Sequence, residues 1–492
     1  MSPMKTNHSA ISTNPWNSPV AGAWVPRSRR DFLLKAGGGF GAVAMAAMTQ
    51  GALRLQGAPG GDVGPRLSHF PGKAKNIIFV FLQGGPSHLD LFDPKPLLNQ
   101  LAGQRIPPSY KRVLTPMGEF DSPLLGTKRT FQRHGQSGIW TSDWIPHISG
   151  IVDDIAVIRS VWGDGLNHVG SVCQMNTGSI LAGRPSLGAW ASYGLGSEND
   201  SLPSFVVLLD RPARVHGGSR NWGAGFLPAT YQGTALDSGE TPIRNLFPEA
   251  AVSESRRRRQ RGLLGEINAQ HLHDLEQSDA WEARINAYEL AYRMQSTGPE
   301  AVDLSTETET TKRLYGLDQE PTKDMARSLI LARRLVERGV RFVQVYSGAG
   351  NRWDSHSSIE KNHSSLCLEM DQPVAALVRD LKARGLLDET LVVWGGEFGR
   401  TPQSEKGDGR DHNPTGFTMW MAGGGVQGGQ TIGSTDDLGL HAVDERAHVR
   451  DVHATMLAAM GIDPMALTTL HNGRLENPVA NTGAPIDRFF TG

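Results

Sequence analysis

The sequence predicts an α/β fold with a largely parallel central sheet and helices on both of its faces. Short apolar runs alternate with helical stretches along the chain, and no repeat period is present. Residues 76–82 form an apolar run that is too short for a helix and rich in β-branched and aromatic residues. Such a run is typical of a strand buried on both faces, and here it stops at the sharp turn Gly84-Gly85-Pro86.

Length, net charge and cysteine content limit the classes to which the protein can belong. A chain of 492 residues can hold one large α/β domain with insertions, or two domains. The net charge of −1 argues against nucleic-acid binding through bulk electrostatics. Its two cysteines, Cys173 and Cys367, cannot form a disulfide framework, and either one bridge or two free thiols is compatible with the sequence.

The N-terminal segment predicts export. Residues 28–35, SRRDFLLK, match the twin-arginine pattern, and a short run rich in glycine and alanine follows. This run is too short and too rich in glycine for a stable membrane span. We therefore interpret residues 1–50 as a signal peptide read by the twin-arginine export machinery and residues 51–72 as a Gly/Pro-rich linker. The mature protein is expected to be extracytoplasmic, either periplasmic or secreted.

The remaining residues, 73–490, are predicted to form one domain with a cap-like insertion around residues 211–320. After the first strand, residues 94–132 are broken by prolines and glycines and predict a surface excursion. Further strands are predicted at residues 155–161, 205–209, 340–346, 390–394 and 417–422. Helices are predicted from about 168 to 177, at 325–338, 359–384 and 448–460, and in the helical composition of 252–296.

Acidic and imidazole side chains follow several of the predicted strands. The carboxyl ends of parallel strands meet at one edge of a sheet, so these side chains are expected to converge although they lie far apart in sequence. The candidate ligands are Asp90, Asp354, His356, Glu397, Asp411 and His412, the last in a polar segment interpreted as a loop. A mixed oxygen and nitrogen set suits a divalent metal such as Zn²⁺, Mn²⁺, Mg²⁺ or Ca²⁺. Two ions about 4 Å apart could clamp the attacking and leaving oxygens of a phosphoryl- or sulfuryl-type displacement.

Structural alternatives exist for individual groups. His88, next to the turn after the first strand, could simply cap a helix. Arg400 or Arg410 could bind a tetrahedral oxyanion, because a guanidinium fork matches its geometry, or could form an ion pair with a ligand carboxylate. The sequence leaves these alternatives open.

The motifs together carry a family resemblance. The set NIIFVFLQGGPSHLDLFDPKP, WDSH, GGEFGRTP and GRDHNP, behind the twin-arginine pattern, resembles the bacterial domain-of-unknown-function family numbered 1501. That family in turn resembles the alkaline phosphatase/sulfatase superfamily. The resemblance implies a dinuclear metal site in which Asp90 is the carboxylate after the first strand, Asp354 and His356 form one ligand pair, and His412 is the closing ligand. Glu397 stands where an Asp-His pair is expected and Phe398 replaces its histidine, which makes one ion, or a harder ion such as Mg²⁺, credible.

The resemblance also implies a nucleophile at the start of the helix after an early strand. Cys173 lacks the motif that supports formylglycine formation in sulfatases. Ser171 and Thr177 carry hydroxyl groups near a predicted helix start, whose dipole could stabilise an alkoxide. Alignment on Thr177-Gly178 instead puts His168 in the nucleophile position, as a metal ligand, a phosphoryl-accepting base or a group that only lines the site.

The sequence therefore predicts an exported metal-dependent hydrolase of phosphate or sulfate esters, with one or two divalent ions. Its substrate would be a small-molecule or polysaccharide ester, and no nucleic acid is expected. Ser171, His168 and Arg400 are the candidate catalytic residues. A non-catalytic secreted glycan-binding or assembly protein on the same fold is the alternative, and the aromatic-rich residues 221–233 could serve as a substrate cap or a glycan platform.

Overall fold

A computed structural model describes most of the chain beyond the N-terminal segment. It covers residues 64–112, 115–119, 121–209, 214–239, 241–243, 253–274, 279–347 and 350–490. The predicted signal peptide and most of the predicted linker lie outside the described residues. Among the helices that are described, none is long and apolar enough to cross a membrane.

The described residues form strands and helices in alternation. The strands are β1 (Asn76–Phe81), β2 (Phe131–His134), β3 (Ile139–Ser142), β4 (Ile155–Trp162), β5 (Phe205–Leu209), β6 (Thr234–Asp237), β7 (Phe342–Tyr346), β8 (Thr390–Gly395), β9 (Gly399–Glu405), β10 (Gly409–Asn413), β11 (Phe417–Ala422), β12 (Gln430–Ile432), β13 (Ser434–Thr435), β14 (Ala442–Asp444), β15 (Ala447–His448), β16 (Thr469–His471) and β17 (Arg474–Glu476). The helices are α1 (His88–Leu91), α2 (Pro96–Gln100), α3 (Pro146–Ser149), α4 (His168–Thr177), α5 (Leu187–Leu195), α6 (Glu254–Asp274), α7 (Asp279–Val302), α8 (Glu309–Tyr315), α9 (Lys323–Val336), α10 (Ile359–Ala383) and α11 (Val449–Ala459).

The central sheet has nine strands among the described residues and is mostly parallel. Its order is β12-β4-β11-β8-β1-β7-β5-β6, and β15 pairs with β4. The strand β11 runs antiparallel to both of its neighbours, β4 and β8, whereas the remaining pairs are parallel. The predicted α/β fold class is confirmed.

Both faces of the sheet are covered, because alternate residues of each strand point in opposite directions. In and just after β1, Ile78, Val80 and Leu82 join one apolar cluster, and Ile77, Phe79 and Phe81 join another. Residues of α9 and α10 belong to the first cluster, and residues of α5 and α11 belong to the second. This double burial explains why the central strands are continuous apolar runs.

The strands predicted from apolar runs are confirmed, as are the helices α4, α9, α10 and α11. The helical stretch predicted at 252–296 is two helices, α6 and α7. The helix α5 and the antiparallel hairpin of β9 and β10 were not predicted. The interpretation of the segment around His412 as a loop is wrong, because His412 lies in the buried strand β10. Both cysteines are buried and free, and the boundaries of the cap-like insertion stay a prediction.

The turn after β1 is held against the segment that follows β7. Gly84 and Gly85 adopt positive φ angles of 118° and 77°. A Cβ atom on Gly84 would lie 2.6 Å from the backbone nitrogen of Asp354 and 2.7 Å from that of Trp353. Backbone atoms cannot move aside as a flexible side chain can, so only glycine permits this approach.

Replacing Gly84 tests this close approach. We expect Gly84→Ala to lower the free energy of unfolding by about 2 kcal/mol or more, because a clash with backbone adds to the cost of the positive φ. Gly183→Ala is the matched control, since Gly183 has a φ of 117° and a Cβ atom added there would meet nothing within 4 Å. The control should cost only about 1 kcal/mol. Urea unfolding measures both values, and equal losses would contradict a role for the contact.

Candidate metal centre

Four side chains meet at the carboxyl edge of the sheet. His168 is the first residue of α4, which follows β4, and Asp354 and His356 follow β7. His412 comes from β10, in the hairpin that follows β8. One ligand atom from each of the four lies within 4.8 Å of the others, a grouping that could hold a metal ion. The sequence expectation that distant groups converge at one edge therefore applies to these residues.

The three imidazoles share one hydrogen-bonding pattern. The Nδ1 atom of each ring faces an acceptor: Glu397 Oε1 at 2.7 Å for His168, a carboxylate oxygen of Glu405 for His356, and the Leu166 carbonyl oxygen at 3.0 Å for His412. An acceptor on Nδ1 fixes the proton there and leaves Nε2 with a free lone pair. Outer carboxylates and carbonyls hold metal-binding histidines in this way.

The Nε2 atoms converge on the Asp354 carboxylate. His356 Nε2 and His412 Nε2 lie 2.9 and 3.1 Å from Asp354 Oδ1, and they are 3.1 Å from each other. His168 Nε2 lies 3.0 Å from Asp354 Oδ2, yet it is buried and has no hydrogen-bond partner of acceptable geometry in the described part of the chain. A buried, unsatisfied nitrogen beside a carboxylate and two further imidazoles fits a bound cation.

A capped helix holds His168 in position. The N-cap residue Asn167 accepts a hydrogen bond from the Gly170 nitrogen at 3.0 Å, which satisfies one of the free N–H groups of the first turn. The helix ends at Gly178, whose φ is 76°. His168 is therefore fixed at the start of α4, and its ring stacks on His216 with centroids 5.0 Å apart.

The carboxylates determine the protonation of this group. Burial would lower the pKa of His168, but its contacts with the carboxylates of Asp354 and Glu397 outweigh burial and raise that pKa to about 9. Burial would raise the pKa of Asp354, but its three imidazole neighbours and Arg400 hold it well below its usual range. The pKa of His412 is lowered, mainly by burial. In the absence of a metal, a proton on His168 supplies part of the positive charge that this site requires.

Arg400 holds the Asp354 carboxylate through a hydrogen bond. Its fully buried guanidinium donates to Asp354 Oδ1 at 2.7 Å, to the Gly85 carbonyl at 2.9 Å and to the Arg410 carbonyl at 3.0 Å, and it also bonds the Gly84 carbonyl. Four donor interactions with the protein leave little capacity for a substrate. These contacts correspond to the ion-pair alternative rather than to oxyanion binding.

Asp90 lies outside the group of four. Its Oδ2 accepts from Arg410 Nε at 2.9 Å and from Ser87 Oγ at 2.5 Å, within a pair that is almost completely buried. The structure therefore places the expected first-strand ligand in an ion pair with Arg410. His88 is buried as well, and its Nε2 lies 3.0 Å from the Gly439 carbonyl oxygen.

The other expected residues take different positions. Asp411 Oδ1 accepts from the His412 backbone at 2.7 Å and lies 4.0 Å from His356 Nδ1, so Asp411 belongs with His356 and Glu405 to a second group that could hold a metal ion. Ser171 is buried one turn after His168, and its hydroxyl has no hydrogen-bond partner among the described residues. Glu397 contacts His168 and the backbone nitrogen of Gly84, and neither of the two candidate metal groups includes it.

Sequence reasoning missed Glu405 and His216. Glu405 is the last residue of β9, and the hairpin partner of β9 carries His412. The Asp408-Gly409 pair at the turn is a hairpin signal that could have placed Glu405 near this strand. No local signal marks His216, because it reaches the site through a loop.

Comparisons with known proteins give one family and several distant structures. The family model described as "Protein of unknown function (DUF1501)" matches residues 74–490. No curated protein matches the chain. The C-terminal periplasmic domain of EcEptC from Escherichia coli, in complex with Zn, is 9% identical with a TM-score of 0.36, and the match covers 87% of this chain and 99% of that one.

Two further solved structures are similar at the same level. The PsFucS1 sulfatase from Pseudoalteromonas sp. is 12% identical with a TM-score of 0.33, covering 88% of this chain and 77% of that one. The phosphonate monoester hydrolase of Agrobacterium radiobacter is 12% identical with a TM-score of 0.34, covering 85% of this chain and 77% of that one.

The raised pKa of His168 predicts a pH dependence of stability in chelator-treated protein. Since the folded pKa of about 9 lies above the ordinary value of 6.5, the stabilisation is fully present below about pH 6.5 and is lost as the pH rises through 9. The full loss corresponds to about 3 kcal/mol. We expect the free energy of unfolding of wild type to fall by up to this amount relative to His168→Gln between pH 6 and pH 10. Urea unfolding at both pH values measures the difference, and parallel pH profiles for the two proteins would refute the linkage.

Proposed function

We propose that this chain, which belongs to the family of proteins of unknown function DUF1501, is a metal-dependent hydrolase of phosphate or sulfate esters. One observation carries the proposal. The Nε2 atoms of His168, His356 and His412 converge on the Asp354 carboxylate while an acceptor holds each Nδ1. Convergent imidazoles with outer acceptors are the arrangement that metal-binding histidines require.

The donor set suggests the kind of ion. Three imidazole nitrogens and one carboxylate oxygen suit zinc, and also manganese or iron, better than calcium or magnesium, which prefer oxygen ligands. We therefore propose one ion held by His168, Asp354, His356 and His412, with Glu397 and Glu405 as carboxylates that orient two of the rings. When bound, the ion would supply a Lewis acid that polarises an ester oxygen.

The surroundings favour an anionic ester. Gln83, which follows β1, holds the backbone of Arg214 and His216. Its Nε2 donates to the Arg214 carbonyl, and its Oε1 accepts from the His216 backbone nitrogen, both at 3.1 Å. His216 then stacks on His168. An exposed arginine two residues from this stacked ring attracts anions to the metal centre, which supports a phosphate or sulfate ester over a neutral one.

Export is a separate part of the proposal. It rests on the twin-arginine pattern at residues 28–35, which lies outside the described residues. N-terminal sequencing of the protein recovered from the periplasm or the medium tests it. A protein that keeps its first 50 residues in the cytoplasm would contradict export.

A second candidate function is a secreted glycan-binding or assembly protein that binds metal without turnover. Four protein ligands fill a tetrahedral zinc site, whereas catalytic zinc sites keep one position open. The hydroxyl of Ser171 also has no partner among the described residues that could activate it. These two observations favour the second candidate, and assays of metal content and hydrolysis decide between the two.

Removing the shared carboxylate tests metal binding and hydrolysis together. We expect purified protein to contain one equivalent of transition metal and to hydrolyse p-nitrophenyl phosphate or p-nitrophenyl sulfate. Asp354→Asn should lose both the metal and at least about 100-fold in kcat/KM, because the group of donors loses its one carboxylate. Elemental analysis and a chromogenic assay measure the two effects.

The exposed residue Asp388 provides the control for this experiment. Asp388→Asn should keep metal and activity, and circular dichroism should show that both variants are folded. Metal retained without ester turnover would support the second candidate function. Metal-free wild-type protein would overturn the metal centre itself.

The orienting carboxylate Glu405 yields an independent prediction. We expect Glu405→Gln to weaken metal binding by about 10-fold to 100-fold, because the ring of His356 loses the charged acceptor on its Nδ1. Competition with a chromophoric chelator measures the affinity, and Glu320→Gln, at a side chain that is 90% exposed, is the control. An unchanged affinity would show that Glu405 does not position His356.

A further inference from the structure

A cleft lies in the segment that follows His216. It has a volume of about 560 Å³, within the range of ligand-binding clefts, and its lining includes Arg220, Trp222, Ala224 and Leu227. Glycines 183, 223, 225 and 233 form much of the remaining wall. Walls without side chains leave backbone groups and flat surface open to a ligand.

One ordered loop connects this cleft to the metal centre. His216 stacks on His168 at one end of the loop, and Arg220 and Trp222 line the cleft at the other. Between them, the buried Asn221 donates from Nδ2 to the His216 carbonyl at 2.6 Å, and the Gly218 nitrogen donates to the Val215 carbonyl at 2.9 Å. The loop therefore fixes the position of the cleft relative to His168.

The helix α4 is a second connection between the cleft and His168. The turn Gly218–Trp222, which carries Arg220, packs against α4. The helix that begins at His168 therefore also borders the turn that carries Arg220 and Trp222.

The charge of the cleft is positive. Arg220 is exposed, and it makes no ion pair with any other described residue. The second arginine of the lining, Arg184, is committed to Glu476 at 2.7 Å and to the Asn477 carbonyl at 2.6 Å. No acidic residue lines the cleft among the described residues, so Arg220 is available to an anion.

Trp222 supplies the apolar part of the recognition. Its side chain is half-buried, and it packs against the core while remaining part of the cleft wall. Trp222 therefore gives the cleft wall an aromatic ring, and a pyranose ring can stack on such a ring. A lone arginine would suit any anion, whereas an arginine next to such a face suits an anionic sugar.

We propose that this cleft binds an anionic sugar unit adjacent to the ester that is cleaved, with Arg220 on its sulfate or phosphate group and Trp222 on its ring. This inference rests on the proposed function and names its substrate class, an anionic carbohydrate chain. A single small ester would fill only the metal centre and would leave the cleft empty.

Titration calorimetry on the full-length protein tests the proposal without requiring turnover. Three probes are compared, a sulfated dextran oligosaccharide, the neutral dextran oligosaccharide and inorganic polyphosphate. We expect the sulfated sugar to bind at least about 10-fold more tightly than either of the other two, because it alone engages both arginine and tryptophan. Equal binding of polyphosphate would overturn the sugar contact, and equal binding of neutral dextran would overturn the anion contact.

Variants locate the binding site. Arg220→Gln should weaken binding of the sulfated oligosaccharide by about 10-fold and reduce its dependence on salt. The paired variant Arg256→Gln with Arg259→Gln, on the exposed helix α6, is the matched control and should bind as wild type does. Trp222→Ala should also weaken binding, and Trp222→Phe should restore it.

The outcomes separate this inference from the proposed function. If metal and ester hydrolysis are present but Arg220→Gln binds the sulfated probe as wild type does, the cleft assignment fails and the hydrolase stands. If the Arg220 variant loses binding but no ester is hydrolysed, the cleft assignment stands and the hydrolase fails. An equal loss of binding in the helix α6 control would show that binding depends only on bulk charge, and it would overturn the assignment of the cleft.

Discussion

The compensation of one buried carboxylate is the constraint on which the site depends. Asp354 follows β7 at a place where its side chain is only 13% exposed, and an ionised carboxylate removed from water is costly unless it is paired and hydrogen-bonded. Arg400 and Asn351 donate to it, and the imidazoles meet around it. Because these groups come from β9, α4, β10 and the segment after β7, the need to satisfy Asp354 ties together parts of the chain that lie far apart.

The first strand contributes backbone rather than a ligand to this arrangement. The Gly84 nitrogen donates to both carboxylate oxygens of Glu397, at 2.9 and 3.1 Å, and the Gly84 and Gly85 carbonyls accept from Arg400. Glu397 then orients His168, and Arg400 holds Asp354. The glycine turn acts as a support for both because no side chain separates its backbone from the following segments.

The sequence predicted the sheet well because a strand buried on both faces is visible as a continuous apolar run. It predicted Asp354, His356 and His412 as members of one group, and the structure brings them together. It did not predict that Asp90 pairs with Arg410, since a carboxylate at that edge could bind either a metal ion or an arginine. Nor could it show that β11 runs antiparallel, because strand direction and register depend on contacts between distant segments. Glu405 was missed for a different reason, because the local turn signal at Asp408-Gly409 was not used to pair β9 with β10.

The charges around the imidazoles set an order for binding. Four carboxylates surround them, those of Asp354, Glu397, Glu405 and Asp411, and Arg400 is the one guanidinium in contact among the described residues. Lys406 lies 3.7 Å from Glu405, and His168 carries a proton until a metal binds, so the formal charge is −1 without metal and 0 once a divalent cation replaces that proton. An anionic ester therefore meets repulsion before the ion is bound and no net attraction from the whole group afterwards. Screening restricts exposed charges to about 8 to 10 Å, so attraction must come from basic groups at that range. Exposed Arg214 and Arg220 lie on the loop whose His216 stacks on His168, so we propose that this loop, and not the metal centre alone, selects an anion.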